Sequence, residues 1–267
     1  MATPRLALHT WTLDTTPLAK TLTIARDVGW HAVELRRIDF ARAAASGTPA
    51  SAVIELVKTS GLPVACVGVE LGWMHAEGDE RGRLLSVFEE SCRWAVALGC
   101  ATVMSPVDKG VGDAAQAIAS IRDVGAIAAR HGVRLALEFN ALCAHWNTLP
   151  RVRDLVRRAA HPGCGLLLDT YHLGKSGASP DALDDLDPRE IAYVQFSDVP
   201  RNPAPGAFTD RLPPGQGTVP FREIFGRIAK KGYEGYLSYE APNPAAWARD
   251  PVDVAREALA ATLLLTA

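Results

Sequence analysis

Residues 166–172 read Leu166-Leu167-Leu168-Asp169-Thr170-Tyr171-His172, an apolar run that ends on a carboxylate with a histidine three residues beyond it. A run without polar alternation reads as a strand buried on both faces, as in a parallel sheet covered by helices. The charge at its end then lies at the carboxyl edge of that sheet, where α/β folds assemble their sites. Three further runs finish the same way: Arg134-Leu-Ala-Leu-Glu138, Ile191-Ala-Tyr-Val-Gln195 and Tyr236-Leu-Ser-Tyr-Glu240. Four buried strands, each ending in an oxygen-bearing side chain, point to one shared site.

Outward from this stretch the same unit recurs. Strand patterns fall at 5–10, 31–36, 63–69, 100–105, 133–138, 164–169, 191–196 and 235–240. Helical patterns fall at 17–28, 49–60, 80–98, 113–130, 149–160, 180–187, 219–231 and 250–263. Gly29, Gly61, Gly99, Gly132 and Gly232 each follow a helical stretch and precede an apolar one, as expected where a left-handed residue closes a helix. Strict alternation predicts a parallel sheet. Eight units within 267 residues match a single closed (β/α)8 barrel, a TIM barrel, spanning 1–267. An open doubly wound sheet would carry G-x-G-x-x-G after its first strand, and none is present. A helical solenoid would lack the β-rich run that every unit has. Two segments break the rhythm, Gly72–Asp79 with Trp73, Met74 and His75, and the Pro/Gly-rich stretch Asn202–Gly217. Both fall at strand-to-helix junctions, on the face where a barrel keeps its site.

Composition excludes several classes. A net charge of −2 and a pI near 6.4 leave no basic footprint for nucleic acid. The start, Met1-Ala-Thr-Pro-Arg-Leu, lacks the charged head and apolar core of a signal peptide, and the apolar tail near Leu263 is too short to span a bilayer. A soluble, cytoplasmic protein without membrane partners is expected. Five cysteines form no C-x-x-C pair, which predicts buried free thiols rather than a disulfide framework or structural zinc. Trp73 and Trp247, read as exposed, hint at a homo-oligomer contact.

In a barrel, Glu138, Asp169, Gln195 and Glu240 would close strands five to eight. Three clustered carboxylates would raise one another's pKa, and a divalent cation removes that penalty. An all-oxygen donor set suits Mn²⁺ or Mg²⁺, with Co²⁺ or Zn²⁺ as alternatives, although catalytic zinc normally recruits histidines. Taken singly, each acid could instead cap a helix or pair with an arginine. His172 is placed to bond a substrate oxygen or to orient Asp169. Arg211 could reach over the mouth to hold an oxygen or carboxylate. Asp198, three residues after Gln195, reads as a residue that supports the site from behind or caps a loop, and His145 and Trp146 as pocket lining or packing. Glu34, Arg36, Arg37 and Glu70 read as a salt-bridged rim. No G-x-S-x-G nucleophile motif is present.

At these residues the chain resembles the xylose-isomerase-like barrel superfamily of sugar isomerases and epimerases. The shared pattern reads here as Glu138, Asp169-Thr-Tyr-His172, Gln195, Arg211-Leu-Pro-Pro-Gly-Gln-Gly217 and Glu240. Glutamine at 195 is similar to hydroxypyruvate isomerase and to the bacterial 3-dehydroshikimate dehydratases, whereas the ketohexose 3-epimerases carry histidine there. The resemblance implies one divalent ion held by Glu138, Asp169, Gln195 and Glu240. It implies a small polyhydroxy carbonyl substrate contacted by His172 and Arg211, and proton transfer by Glu138 and Glu240 through a metal-stabilised enediolate. Return of the proton gives isomerisation or epimerisation, and departure of a β-hydroxyl gives dehydration. A non-catalytic sugar-binding barrel is the third reading.

Overall fold

In a computed structural model that describes residues 4–110, 112–204 and 206–266, the alternation resolves into a closed barrel. Its strands are β1 (Arg5–His9), β2 (Ala32–Leu35), β3 (Val64–Gly68), β4 (Thr102–Pro106), β5 (Arg134–Glu138), β6 (Cys164–Asp169), β7 (Ile191–Phe196) and β8 (Tyr236–Tyr239). Each pairs in parallel with its sequence neighbours, and β8 closes on β1. The helices are α1 (Leu18–Val28), α2 (Arg37–Ala45), α3 (Ala50–Thr59), α4 (Gly78–Ala97), α5 (Ala114–Arg130), α6 (Leu149–Ala159), α7 (Thr170–Lys175), α8 (Phe221–Lys230), α9 (Pro244–Trp247) and α10 (Pro251–Thr266).

The two-residue period of a strand explains why one chain can carry both a packed core and a polar site. Successive side chains alternate between the barrel lumen and the surrounding helices. Inside, Ala7, Ala32, Ala65, Cys66, Met104, Ala136, Leu167 and Tyr193 form their own buried apolar cluster, distinct from the large core between barrel and helices. Two residues further along the strands, on the same inward face, come His9, Glu34, Glu138, Asp169 and Gln195. Strand register pairs His9 with Glu34 and Asp169 with Gln195, while Glu138 pairs with Leu167, two residues before Asp169. The apolar layer is the floor on which the polar layer stands.

Departures from the sequence reading have local causes. The helix expected at 180–187 is only a 3-10 turn, Pro180–Leu183, because Asp184, Asp185 and Asp187 crowd a stretch interrupted by Pro188. Helix α2, unanticipated, has a weak apolar stripe and starts where the Asp39 carboxylate accepts the Arg36 backbone N–H at 2.8 Å. Helix α7 begins directly at the end of β6, with Asp169 Oδ1 accepting Tyr171 N–H at 2.8 Å. Trp73 is 1% exposed, not at the surface; its Nε1–H donates to Ser105 Oγ at 3.0 Å and its ring meets Phe88 edge-on. Trp247 is half-buried and donates to the Trp11 carbonyl at 3.2 Å. Neither forms the exposed apolar face that an oligomer contact would need. All five cysteines are buried and free, as expected. Among the described residues no helix is long and apolar enough to cross a membrane.

Strand β7, which carries Gln195, is anchored at its start by Glu190. The Glu190 carboxylate accepts from Arg153 at 2.8 Å and Arg157 at 2.7 Å, tying α6 to the barrel. Partial burial alone would raise its pKa, but the two guanidiniums and the Asp187 N–H bring it down to about 2. A carboxylate whose folded pKa is depressed stabilises the fold above its unfolded value, near 4.5, and loses that contribution as pH falls toward 2. Glu190→Gln is therefore expected to cost ~2 kcal/mol at pH 7. Urea titrations at several pH values should show the gap from wild type closing between pH 5 and pH 2.

Candidate active site

Glu138, Asp169, Gln195 and Glu240 stand together at the carboxyl mouth of the barrel, all buried, with Asp169 and Gln195 at 0% exposure. Glu138 and Asp169 offer oxygens, and His172 a nitrogen, within 4.8 Å of one another. Arg211 completes the group. Its Nη1 lies 2.8 Å from Asp169 Oδ2 and 2.7 Å from Glu240 Oε2, and its guanidinium sits 4.4 Å over the Tyr171 ring. Asp169 and Glu240 bond this buried guanidinium, and the Glu138 carboxylate lies within reach of its charge. Burial first, then the charges of Asp169 and Glu240, push the Glu138 pKa well above the ordinary carboxylate range. Burial likewise raises that of Glu240.

Two members of the cluster were not anticipated as site residues. Glu34 belongs not to the rim but to the lumen, at 0% exposure. Its Oε1 accepts from Gln195 Nε2 at 2.9 Å, and its Oε2 is 3.1 Å from the Tyr193 hydroxyl. Burial and the Glu240 charge push its pKa to about 8. His9 lies with Nε2 3.3 Å from Glu240 Oε1 and 3.7 Å from Glu34 Oε1, while its Nδ1 accepts the Trp11 N–H at 3.0 Å. Burial, with Arg36 and Arg211 nearby, lowers its pKa and keeps the ring neutral. With Nδ1 accepting, the single proton sits on Nε2 and is directed at Glu240. The offset that finds Glu138 two residues past Ala136 also finds His9 past Ala7 and Glu34 past Ala32. The true rim lies one step further out, where Arg37 pairs with Glu70 at 3.2 Å and Arg36 with Asp14 at 2.6 Å.

His172 is neutral because burial draws its pKa to about 4. The Ala141 backbone N–H donates to its Nδ1 at 3.3 Å, which places the ring proton on Nε2, facing Glu138 Oε1 at 3.7 Å. Arg211 Nη2, 3.4 Å from the same nitrogen, also can only donate. The backbone donor is fixed while the guanidinium rides on a loop, so the Ala141 bond sets the tautomer. With its proton on Nε2 the ring donates to an oxygen; with the proton on Nδ1 the same Nε2 would join Glu138 and Asp169 as a metal donor.

The long segment after β7 is folded back by Asp198. Its Oδ1 accepts from Val199 N and Val219 N, both at 2.9 Å, and its Oδ2 from Gly215 N at 2.9 Å and Gly217 N at 2.7 Å. Gly217 has no alternative: a Cβ there would lie 2.0 Å from the Val199 carbonyl oxygen. The Tyr171 hydroxyl binds Asp210 Oδ1 at 2.5 Å, and Asn243 Nδ2 donates to the Arg211 carbonyl at 3.0 Å. Phe208 packs against Trp11, with Lys109 Nζ 5.3 Å from its ring. The segment thus crosses the mouth and carries Arg211 inward to 3% exposure. His145 and Trp146 lie in the loop after β5, their rings edge-to-face. A separate cleft of about 490 Å³ beside α1, α2 and α3 is lined by Asp14, Arg36, Asp39 and Arg42. Asp14 there pairs with both Arg36 and Arg42, and it lies outside the carboxylate cluster.

The profile of the xylose isomerase-like TIM barrel family matches residues 22–262. The chain belongs to that family. Over 151 residues it is 31% identical to a 3-dehydroshikimate dehydratase of Pseudomonas putida, a match covering 55% of this chain and 23% of the relative. Over 128 residues it is 29% identical to an inosose isomerase of Halalkalibacterium halodurans, covering 46% of this chain and 45% of the relative. The chain thus spans under a quarter and under half of these proteins' lengths. In three dimensions it is similar to the IOLI protein solved with a zinc atom, with a TM-score of 0.88 at 18% identity over 98% of both chains. Its named relatives are enzymes, isomerases and dehydratases among them.

Proposed function

We propose that the barrel is a divalent-metal-dependent isomerase or epimerase of small polyhydroxy carbonyl compounds, working by proton transfer at the carbon beside the carbonyl. The observation that carries this reading is that the buried atoms left without a hydrogen-bond partner include two oxygens among the clustered carboxylates, Glu138 Oε1 and Gln195 Oε1. Buried polar atoms are normally satisfied, and here both belong to residues at the mouth ends of adjacent barrel quarters. A donor set of Glu138, Asp169, Gln195 and Glu240 would suit a hard divalent ion, Mn²⁺ or Mg²⁺ before zinc, with Arg211 yielding the Asp169 and Glu240 oxygens it now bridges. Once bound, such an ion offsets the carboxylate repulsion and polarises a substrate carbonyl.

The chain's own residues supply the rest. Glu138 and Glu240 close β5 and β8, three strands apart, and so flank whatever occupies the mouth. One removes the α-proton and the other returns it. His9 and Arg211 hold Glu240 from two sides, and fixing a carboxylate in one rotamer is what makes it an effective base. His172 Nε2–H is placed to donate to a substrate oxygen.

A dehydratase is the second reading, supported by the 31% identity to a 3-dehydroshikimate dehydratase. Both chemistries begin with the same proton abstraction. The test is deuterium uptake at the α-carbon of α-hydroxy-carbonyl compounds in heavy water. Exchange should vanish on chelation and return with Mn²⁺; exchange that survives chelation, or never occurs in any compound, defeats the proposal. Appearance of an aromatic ultraviolet band with 3-dehydroshikimate would select dehydration, while product of unchanged mass would select isomerisation.

A further inference from the structure

Glutamine is an ambiguous neighbour for a cation, because its amide can present either an oxygen or an NH₂ group. Gln195 sits at the end of β7 with no solvent exposure, so water cannot decide which end points where. The Glu34 carboxylate reaches it across the lumen, with Oε1 2.9 Å from Gln195 Nε2. The Tyr193 hydroxyl donates to the other carboxylate oxygen, Oε2, at 3.1 Å, which leaves Oε1 turned to the amide as its acceptor. The amide nitrogen is thereby committed to Glu34, and Gln195 Oε1 is left buried without a partner.

We infer that Glu34 is a positioning residue that locks the Gln195 amide with its oxygen exposed to the metal site. The inference rests on the proposed role of Gln195 as a metal donor. Strand pairing sets Glu34 level with His9, and Gln195 level with Asp169. The contact joins β2 to β7 across the lumen. Tyr193, two residues before Gln195 on β7, holds the Glu34 carboxylate through its hydroxyl. Groups behind a ligand that fix its orientation typically govern metal affinity by 10–100-fold.

The test is a Mn²⁺ titration of metal-free protein, read by electron paramagnetic resonance and calorimetry, with the metal-free melting temperature as the control for folding. Glu34→Met keeps the length of the side chain but removes the acceptor, freeing the amide to turn. It should weaken Mn²⁺ binding by about 10–100-fold. Glu34→Gln retains an amide oxygen that can accept from Gln195 and should recover most of the loss. The exchanged pair, Glu34→Gln with Gln195→Glu, should also bind, because a carboxylate at 195 presents an oxygen whichever way it turns. If wild type binds Mn²⁺ and Glu34→Met binds it equally well, the positioning role is wrong while the metal site stands. If wild type takes up no Mn²⁺, the proposed site fails and the role of Glu34 falls with it. Equal losses in Glu34→Met and in the exchanged pair would also overturn it, since orientation would then not be what Glu34 supplies.

Discussion

Replacing Glu240 with glutamine is expected to slow α-proton exchange by about 10²–10⁴-fold, the usual contribution of a positioned general base, while the barrel stays folded. The carboxylate is held at both ends, Oε1 by His9 at 3.3 Å and Oε2 by Arg211 at 2.7 Å. Both partners only donate toward it, so an amide can satisfy one and must turn its NH₂ against the other. The side chain loses its proton acceptor and its fixed rotamer together. The fold should tolerate the change. Burial raises the pKa of Glu240 in the folded state, so its charge opposes folding at neutral pH and removing it relieves that cost. Arg211 keeps Asp169 as a partner at 2.8 Å. A melting temperature within about 4 °C of wild type, equivalent to roughly 1 kcal/mol for a chain of this size, would match this accounting. Deuterium uptake followed by proton NMR reads the exchange. Wild-type exchange in the variant would move the base elsewhere, and Glu138, with its unpartnered Oε1, would be the residue to examine.

The barrel was legible because burial on both faces writes itself as unbroken apolar runs, and each run here ends in a residue that cannot belong to the core. The apolar stretch 164–168 could be nothing but an inner strand, so Asp169 had to lie at a sheet edge. That reasoning reached Glu138, Gln195 and Glu240 as well. It stopped short on the first half of the barrel. Glu34 is followed at once by Leu35, Arg36 and Arg37, and a glutamate beside two arginines reads as a surface ion pair. Only the lumen-facing period, two residues beyond Ala32, separates it from them. His9 carried the same signal two residues beyond Ala7, at the end of a strand whose charge is modest. Trp73 was misread for a different reason. It lies in a loop, and loops are usually exposed, but Asp108 accepts the Gly72 and Met74 backbone N–H groups at 2.8 and 3.1 Å and draws that loop down. Contacts from side chain to distant backbone leave no periodic trace in sequence. The fold of the long segment after β7 was hidden in the same way.

Asp198→Ala tests that segment. It is expected to lower the melting temperature by about 10 °C and to abolish turnover. Asp198 has no solvent exposure and accepts four backbone N–H groups, from Val199, Gly215, Gly217 and Val219. Alanine leaves all four donors without that acceptor. At about 1 kcal/mol or more for each unmet donor, the loss comes to ~4 kcal/mol, or on the order of 10 °C at 2–4 °C per kcal/mol. Turnover should fall further than stability requires, because the bonds to Gly215 and Gly217 close the turn that follows Arg211. Without them the guanidinium is carried inward less firmly, and the Tyr171–Asp210 bond, the Asn243 bond to the Arg211 carbonyl, the Phe208–Trp11 contact and the Asp198–Leu212 backbone pair must hold the segment. Asp198→Asn separates the two effects. Its single amide oxygen can serve either Val199 and Val219 or Gly215 and Gly217, but not both pairs, and its NH₂ opposes the pair it abandons. A variant that melts between wild type and alanine yet is as inactive as alanine would show that the Gly215–Gly217 turn is the half given up. An alanine variant that melts and turns over like wild type would instead place the anchor of Arg211 on Tyr171, Phe208 and Asn243, and Asp198 would be incidental to the chemistry.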